Sequence, residues 1–300
     1  MATAELGATL RETVYFEGVG LHTGEMCRVA VHPTSNARAP CAITFRKEAS
    51  TFPARWDYVV DTTRATVIGD RATRISTVEH LMAALWIAGI THCEIELLRG
   101  SEIPILDGSA LPFVEALERV KIGDSPSPQP SPPLIRGERA GSGETLLAEA
   151  SLPHFTSGAF QVRHADRYLG LSFAGDALFG YIDFPPPLGV QAGVFPLRTA
   201  AEQIAPARTF GFLREVEVLR QQGLALGGAL ENALVIDETG YHNPARFEDE
   251  PLRHKLLDVL GDLYLCGARL TNFTLVAIKP GHALNVQLAR QVAQALCVED

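Results

Sequence analysis

A run of alternating serine and proline near the middle of the chain is the strongest constraint on its fold. Residues 123–143 read Gly-Asp-Ser-Pro-Ser-Pro-Gln-Pro-Ser-Pro-Pro-Leu-Ile-Arg-Gly-Glu-Arg-Ala-Gly-Ser-Gly. Proline lacks the amide hydrogen a ladder needs, and its ring clashes inside a helix, so no regular element can cross this stretch. The chain therefore divides into a unit of residues 1–122, a linker of 123–144 and a unit of 145–300. Each unit opens with short strand-like runs. The first has Arg28-Val-Ala-Val and Ala42-Ile-Thr-Phe; the second has Phe160-Gln-Val-Arg, Tyr168-Leu-Gly-Leu-Ser-Phe and Gly180-Tyr-Ile-Asp-Phe. Each then has a helical segment bearing histidine, followed by one more strand: His92-Cys-Glu-Ile-Glu-Leu-Leu in the first, Asn272-Phe-Thr-Leu-Val-Ala-Ile in the second. Two units of one plan predict a duplicated α+β architecture with a site between the halves.

The second histidine-bearing segment is Glu250-Pro-Leu-Arg-His-Lys-Leu-Leu-Asp-Val-Leu-Gly-Asp. His254, Asp258 and Asp262 are four apart, which stacks them on one face of a helix. Leu252, Leu256, Val259, Leu260 and Leu263 fall on another face. Pro251 suits the first turn, Glu248, Asp249 and Glu250 suit its positive end, and Gly267 suits the exit. The ionisable stripe is either a solvated face or half of a metal site, since an imidazole and a carboxylate one turn apart can share one ion. Gly261, in the same stripe, marks a place where something approaches the backbone closely.

The first such segment is Ile75-Ser-Thr-Val-Glu-His-Leu-Met-Ala-Ala-Leu-Trp-Ile-Ala-Gly. Ser76 is the expected N-cap and Gly89 the expected stop. Val78, Leu81, Met82 and Leu85 form an apolar stripe. Glu79 has two readings. It closes a capping box with Ser76, or it is the base for an attacking water beside a third metal ligand, His80. Zinc enzymes commonly use three protein ligands and leave one position open.

Composition removes several classes. A net charge of −9 without a Lys/Arg block argues against nucleic acid as partner. Five cysteines (Cys27, Cys41, Cys93, Cys266, Cys297) are odd in number and scattered, with no Cys-x-x-Cys. Neither a disulfide framework nor a thiolate site is indicated, which fits a reducing cytoplasm. No basic-then-apolar leader pattern is present, and the longest apolar run, residues 81–90, is too short to span a bilayer. The expectation is a soluble cytoplasmic protein without a transmembrane segment.

Several longer runs resemble one known family, the UDP-3-O-acyl-N-acetylglucosamine deacetylases, zinc amidases of lipid A biosynthesis. They are Gly18-Val-Gly-Leu-His-Thr-Gly, Ser76-Thr-Val-Glu-His-Leu, Glu102-Ile-Pro-Ile-Leu-Asp-Gly-Ser-Ala, Ala207-Arg-Thr-Phe-Gly-Phe, Arg246-Phe-Glu-Asp-Glu, the His254 helix, and Lys279-Pro-Gly-His-Ala-Leu-Asn. They lie in the family's order over nearly the whole chain. The resemblance implies two β-α-α-β domains with the helix pairs packed between the sheets. It implies Zn²⁺ held by His80, His254 and Asp258 at the domain interface, in a monomer.

The resemblance also implies roles. Glu79 takes the proton of the attacking water. Thr209 donates to the tetrahedral oxyanion. His282 is a second acid or a cationic clamp, and Asp262 orients it. Which of Glu79 and His282 protonates the leaving amine stays open. Asp183 and Phe184 match the residues that hold uracil, and Lys255 and Phe210 match residues near the sugar diphosphate. Val216 and the run 223–230 match an apolar passage for the acyl chain, or are ordinary core. His22 either contacts substrate or stabilises its turn. The chain departs from many relatives at Pro185-Pro-Pro-Leu-Gly, Pro280 and Val286. A peptidase is disfavoured because His-Glu-x-x-His is absent. An inactive nucleotide-sugar binder would have lost Glu79 or a ligand, and all are present.

Overall fold

The computed structural model describes residues 8–34, 41–123 and 159–296. The expected linker at 123–144 lies, apart from Gly123, outside the described residues. The protein is α+β. In the first half, a short pair β1 (Thr9–Leu10) is joined later by β10 (Lys121–Ile122). The main sheet uses β2 (Val14–Val19), β3 (Met26–Pro33), β4 (Ala42–Lys47), β5 (Ser50–Pro53) and β9 (His92–Arg99), in the order β2-β3-β9-β4-β5. Between β5 and β9 come a small sheet of β6 (Val59–Asp61), β7 (Val67–Gly69) and β8 (Arg74–Ile75), and then helix α1 (Glu79–Ala88). Helix α2 (Leu111–Val120) follows β9.

The second half repeats this wiring. β11 (Ala159–His164), β12 (Arg167–Ser172), β13 (Ala177–Asp183), β14 (Val190–Phe195) and β18 (Thr274–Ile278) pair in the order β11-β12-β18-β13-β14. In both sheets all pairings are antiparallel except one. That one joins the fourth sheet position to the strand after the helix: β4 with β9, β13 with β18. The insert of the second half is larger. It contains a helical turn α3 (Ala200–Gln203), then β15 (Phe210–Phe212), α4 (Leu213–Gln221), β16 (Leu234–Asp237) and β17 (Gly240–Tyr241), the strands forming a three-stranded sheet. Helix α5 (Glu250–Tyr264) stands where α1 stood, and α6 (His282–Ala295) where α2 stood.

The helices fill the space between the two sheets, and α1 crosses α5 at its centre. Every residue of α1 is buried. Leu81, Met82 and Leu85 are wholly enclosed, each contributing about 1.5–3 kcal/mol of burial. Gly261 explains the close crossing: a Cβ there would collide with the Glu79 carbonyl oxygen and meet the Ala83 amide nitrogen at 3.1 Å. The thing that approaches the α5 stripe is thus the backbone of α1.

The expected N-cap is wrong. Helix α1 begins at Glu79, its N-cap is Val78, and no side chain caps it. Ser76 instead forms an isolated parallel bridge with Glu102: its amide donates to Ser101 O at 3.0 Å and its carbonyl accepts from Ile103 N at 3.0 Å. Thr77 then turns the chain at φ 59° before the helix can start. The exit is as expected, with Gly89 left-handed at φ 71°.

Candidate active site

The ionisable stripe of α5 is not a solvated face. His254, Asp258 and Asp262 are 3%, 2% and 0% exposed. They face α1, whose first turn carries Glu79 and His80, both 3% exposed. Ligand atoms of His80, His254 and Asp258 all lie within 4.8 Å of one another. Asp258 Oδ1 is 3.4 Å from His254 Nε2 and 3.8 Å from His80 Nε2. It is buried and has no hydrogen-bond partner, while Oδ2 accepts from Lys255 Nζ at 2.7 Å.

The electrostatics suit a cation. Burial lowers His80 to about 3, with the neighbouring His254 adding to the effect. Burial also lowers His254. For Asp258, burial opposes ionisation, but His254 and Lys255 outweigh it and hold the carboxyl well below its ordinary value. Two neutral imidazoles and one carboxylate, with an orphaned oxygen aimed between the rings, form a donor set of the kind zinc takes. The observed residues therefore fit a bound metal ion.

Glu79 closes no capping box. Its Oε2 accepts the Thr66 amide at 3.0 Å, and its Oε1 is 4.0 Å from His282 Nε2. Burial raises Glu79 to about 8; His282 opposes this, and Asp262 and Asp258 add to it. His282 begins α6, and its Nδ1–H donates to Asp262 Oδ2 at 3.0 Å. Burial alone would lower His282, but the charge and hydrogen bond of Asp262 raise it to about 9. Both Asp262 oxygens are engaged: Oδ1 accepts from Thr66 Oγ1 at 2.5 Å, and Oδ2 also accepts from Asn285 Nδ2 at 2.9 Å. Thr66 and Asn285 carry no local pattern that marks them. Thr66 lies in the connection between β6 and β7 of the other half, so only the folded chain joins it to Asp262.

A cavity of about 800 Å³ opens over this cluster. Glu79, His80, His254, Asp258, His282, Thr209, Phe210, Lys255 and Phe184 all line it. Phe210 makes edge contacts with Phe184 and His254, at centroid distances of 5.5 and 6.0 Å. Lys255 Nζ sits 5.7 Å from the same ring. Asp183 is exposed at the end of β13 and pairs with Lys279 Nζ at 3.0 Å; it lies beside Phe184 rather than in the cavity wall. Val216, Leu219 and parts of the 223–230 loop form one flank of the cavity, so they are not ordinary core. The His22 ring also lines it, with both nitrogens buried and unpaired. The turn around His22 is held by Glu102, whose carboxylate accepts the His22 and Thr23 amides, and not by the imidazole. Arg64, Arg167 and Arg214, unmarked in the sequence, add cationic groups to the walls.

A buried donor set, a carboxylate with a raised pKa and an aspartate-backed imidazole, at the end of a large cavity, are the parts a hydrolase needs. That is the class the fold and the site define. The chain belongs to the UDP-3-O-acyl N-acetylglycosamine deacetylase family, whose model matches residues 7–294. Three UDP-3-O-acyl-N-acetylglucosamine deacetylases show the extent of the similarity. The protein of Thermosynechococcus vestitus is 38% identical over 95% of this chain and 93% of its own length. That of Myxococcus xanthus is 37% identical over 95% of this chain and 85% of its own. That of Aquifex aeolicus is 34% identical over 96% and 93%. Among the described residues no helix is long and apolar enough to cross a membrane.

Proposed function

We propose that the protein is a zinc-dependent amidohydrolase of the cytoplasm, acting as a monomer. It removes the N-acetyl group of UDP-3-O-(3-hydroxyacyl)-N-acetylglucosamine, giving UDP-3-O-(3-hydroxyacyl)-glucosamine and acetate, the committed step of lipid A biosynthesis. The observation that carries this reading is the orphaned Asp258 oxygen between His80 and His254, with Glu79 and His282 beside it on the cavity floor.

In this reading His80 comes from the unit 1–122, and His254 and Asp258 come from the unit 145–300. Zn²⁺ bound there would polarise the amide carbonyl and acidify a water. Glu79 receives the attacking water's proton; the charge of His282 opposes the burial that raises its carboxyl. The C–O bond forms, and the Thr209 hydroxyl donates to the developing oxyanion. The C–N bond then breaks, and the nitrogen leaves with a proton from Glu79 or from His282 Nε2. Asp262 fixes His282 through Nδ1 and favours its charged form. Lys255 and Phe210 receive the sugar diphosphate. Phe184 with Asp183 receives the uracil. Val216 and the 223–230 loop receive the acyl chain.

The test is acetate release from the UDP-linked acylated substrate, with and without a chelator. Chelation should abolish it and one Zn²⁺ per chain should restore it. Full activity in verified metal-free protein would refute the metal reading.

A further inference from the structure

The stripe on α5 has a fourth member. Glu250, at the start of the helix, is one turn before His254, so Glu250, His254, Asp258 and Asp262 repeat every four residues. Glu250 is wholly buried and does not line the cavity. Its carboxylate grips Arg208 from both sides. Oε1 accepts the Arg208 amide at 3.0 Å and its Nε–H at 2.8 Å, and Oε2 accepts Nη2–H at 3.2 Å. Oε2 also accepts the Arg246 amide at 2.6 Å. Arg246 in turn donates to Pro206 O and to Asp107, each at 2.8 Å. These bonds converge on the irregular segment 205–209, just before β15.

That segment touches the site twice. The Ala207 carbonyl lies 3.2 Å from His254 Nδ1. A carbonyl only accepts, so Nδ1 must carry the hydrogen and Nε2 must present its lone pair toward Asp258 and His80. Two residues on, Thr209 lines the cavity. Its amide donates at 2.8 Å to the carbonyl of Gly108, from the other half. A displacement of this segment would rotate the His254 ring and move the Thr209 hydroxyl together.

We infer that the Arg208–Glu250 pair, supported by Arg246, is a positioning device for the metal site. It holds the Ala207 carbonyl where it sets the tautomer and orientation of His254, and holds Thr209 at the cavity wall. This rests on the metal reading given above. The hydrogen-bond partner of a ligating histidine typically changes metal affinity or activity about 10–100-fold when lost, and this pair acts through such a partner, the Ala207 carbonyl. A lysine at 208 keeps the charge but not the two-sided fork, so it should not replace arginine.

The experiment titrates metal-stripped protein with Co²⁺ and follows its visible absorption, which reports ligand geometry. The proteins are wild type, Glu250→Gln, Arg208→Lys, Arg246→Met and His254→Ala, with folding checked by circular dichroism. The inference expects Glu250→Gln and Arg208→Lys to bind Co²⁺ roughly 10–100-fold more weakly, with an altered spectrum. Turnover of the zinc form should drop in kcat more than KM changes. Arg246→Met, on a half-exposed and hence more tolerant pair, should shift in the same direction by less. If a buried variant fails to fold, Arg246→Met decides. Wild-type Co²⁺ affinity and spectrum in every folded variant of Glu250, Arg208 and Arg246, with binding lost in His254→Ala, would overturn the inference and leave a structural staple. A wild type that binds no Co²⁺ would overturn the metal reading, and this inference with it.

Discussion

The two halves share a sheet and part company in what they insert before the inward-facing helix. In the first half, residues 54–78 form a small β-sheet, and α1 follows with ionisable groups only in its first turn. In the second, residues 196–249 supply a sheet, a helix and a long loop, and α5 carries ionisable groups along its whole length. The repeated frame brings His80 and Glu79 against His254, Asp258 and Asp262. The unequal inserts build the walls: Thr62, Thr63 and Arg64 from the first, and β15, α4 and the 223–230 loop from the second. Duplication thus accounts for the cluster, and divergence for the cavity.

The sharpest way to break this division is Glu79→Gln. The change keeps the shape of the side chain and removes its basic group. Because Glu79 caps nothing, no loss of helix stability should accompany it. The expected loss is about 10²–10⁴-fold, mostly in kcat, with metal content near wild type. Near-normal kcat with metal bound would leave His282 as the main proton carrier.

His282→Ala should cost less, about 10²-fold, and it should change the pH profile. Asp262 raises His282 to about 9. The charged form is therefore present at neutral pH and is lost as pH rises through about 9. Activity that needs this form falls on that alkaline limb. The limb should vanish in His282→Ala and move to lower pH in Asp262→Asn, as read from kcat measured across pH. An unchanged alkaline limb in both variants would remove His282 from the proton path.

The smallest effect belongs to the inserts. Val216→Ala on α4 removes two methyl groups from the cavity flank, and at about 0.8 kcal/mol per carbon should raise KM for the acylated substrate roughly 4- to 15-fold. Metal affinity should not move. A loss of metal in this variant would show that the inserts and the cluster are not separable.

What could be read in the sequence follows the same line. The cluster was legible because its members repeat at helical spacing: His254, Asp258 and Asp262 on one face, Glu79 and His80 adjacent. The strand runs flanking α1 and α5 were legible because β-branched and aromatic residues mark them. Contacts made only by tertiary closure were not. Thr66 bonds Asp262 across 196 residues, and Arg208 meets Glu250 across 42. The N-terminus of α1 misled because Ser76-x-x-Glu79 has the capping spacing, while the bridge of Ser76 with Glu102 keeps the helix from starting there. Glu250 had a visible signal, its place four residues before His254, but its use depends on Arg208.

The central claim is that one metal ion is held jointly by the two halves, and equilibrium dialysis of Zn²⁺ against wild type and His80→Ala tests it most directly. The account predicts one Zn²⁺ per wild-type chain. It predicts that His80→Ala stays folded but loses the ion at concentrations that saturate wild type, since His254 and Asp258 alone hold zinc far less tightly. Wild-type stoichiometry and affinity in folded His80→Ala would contradict it and place the ion in the second half alone.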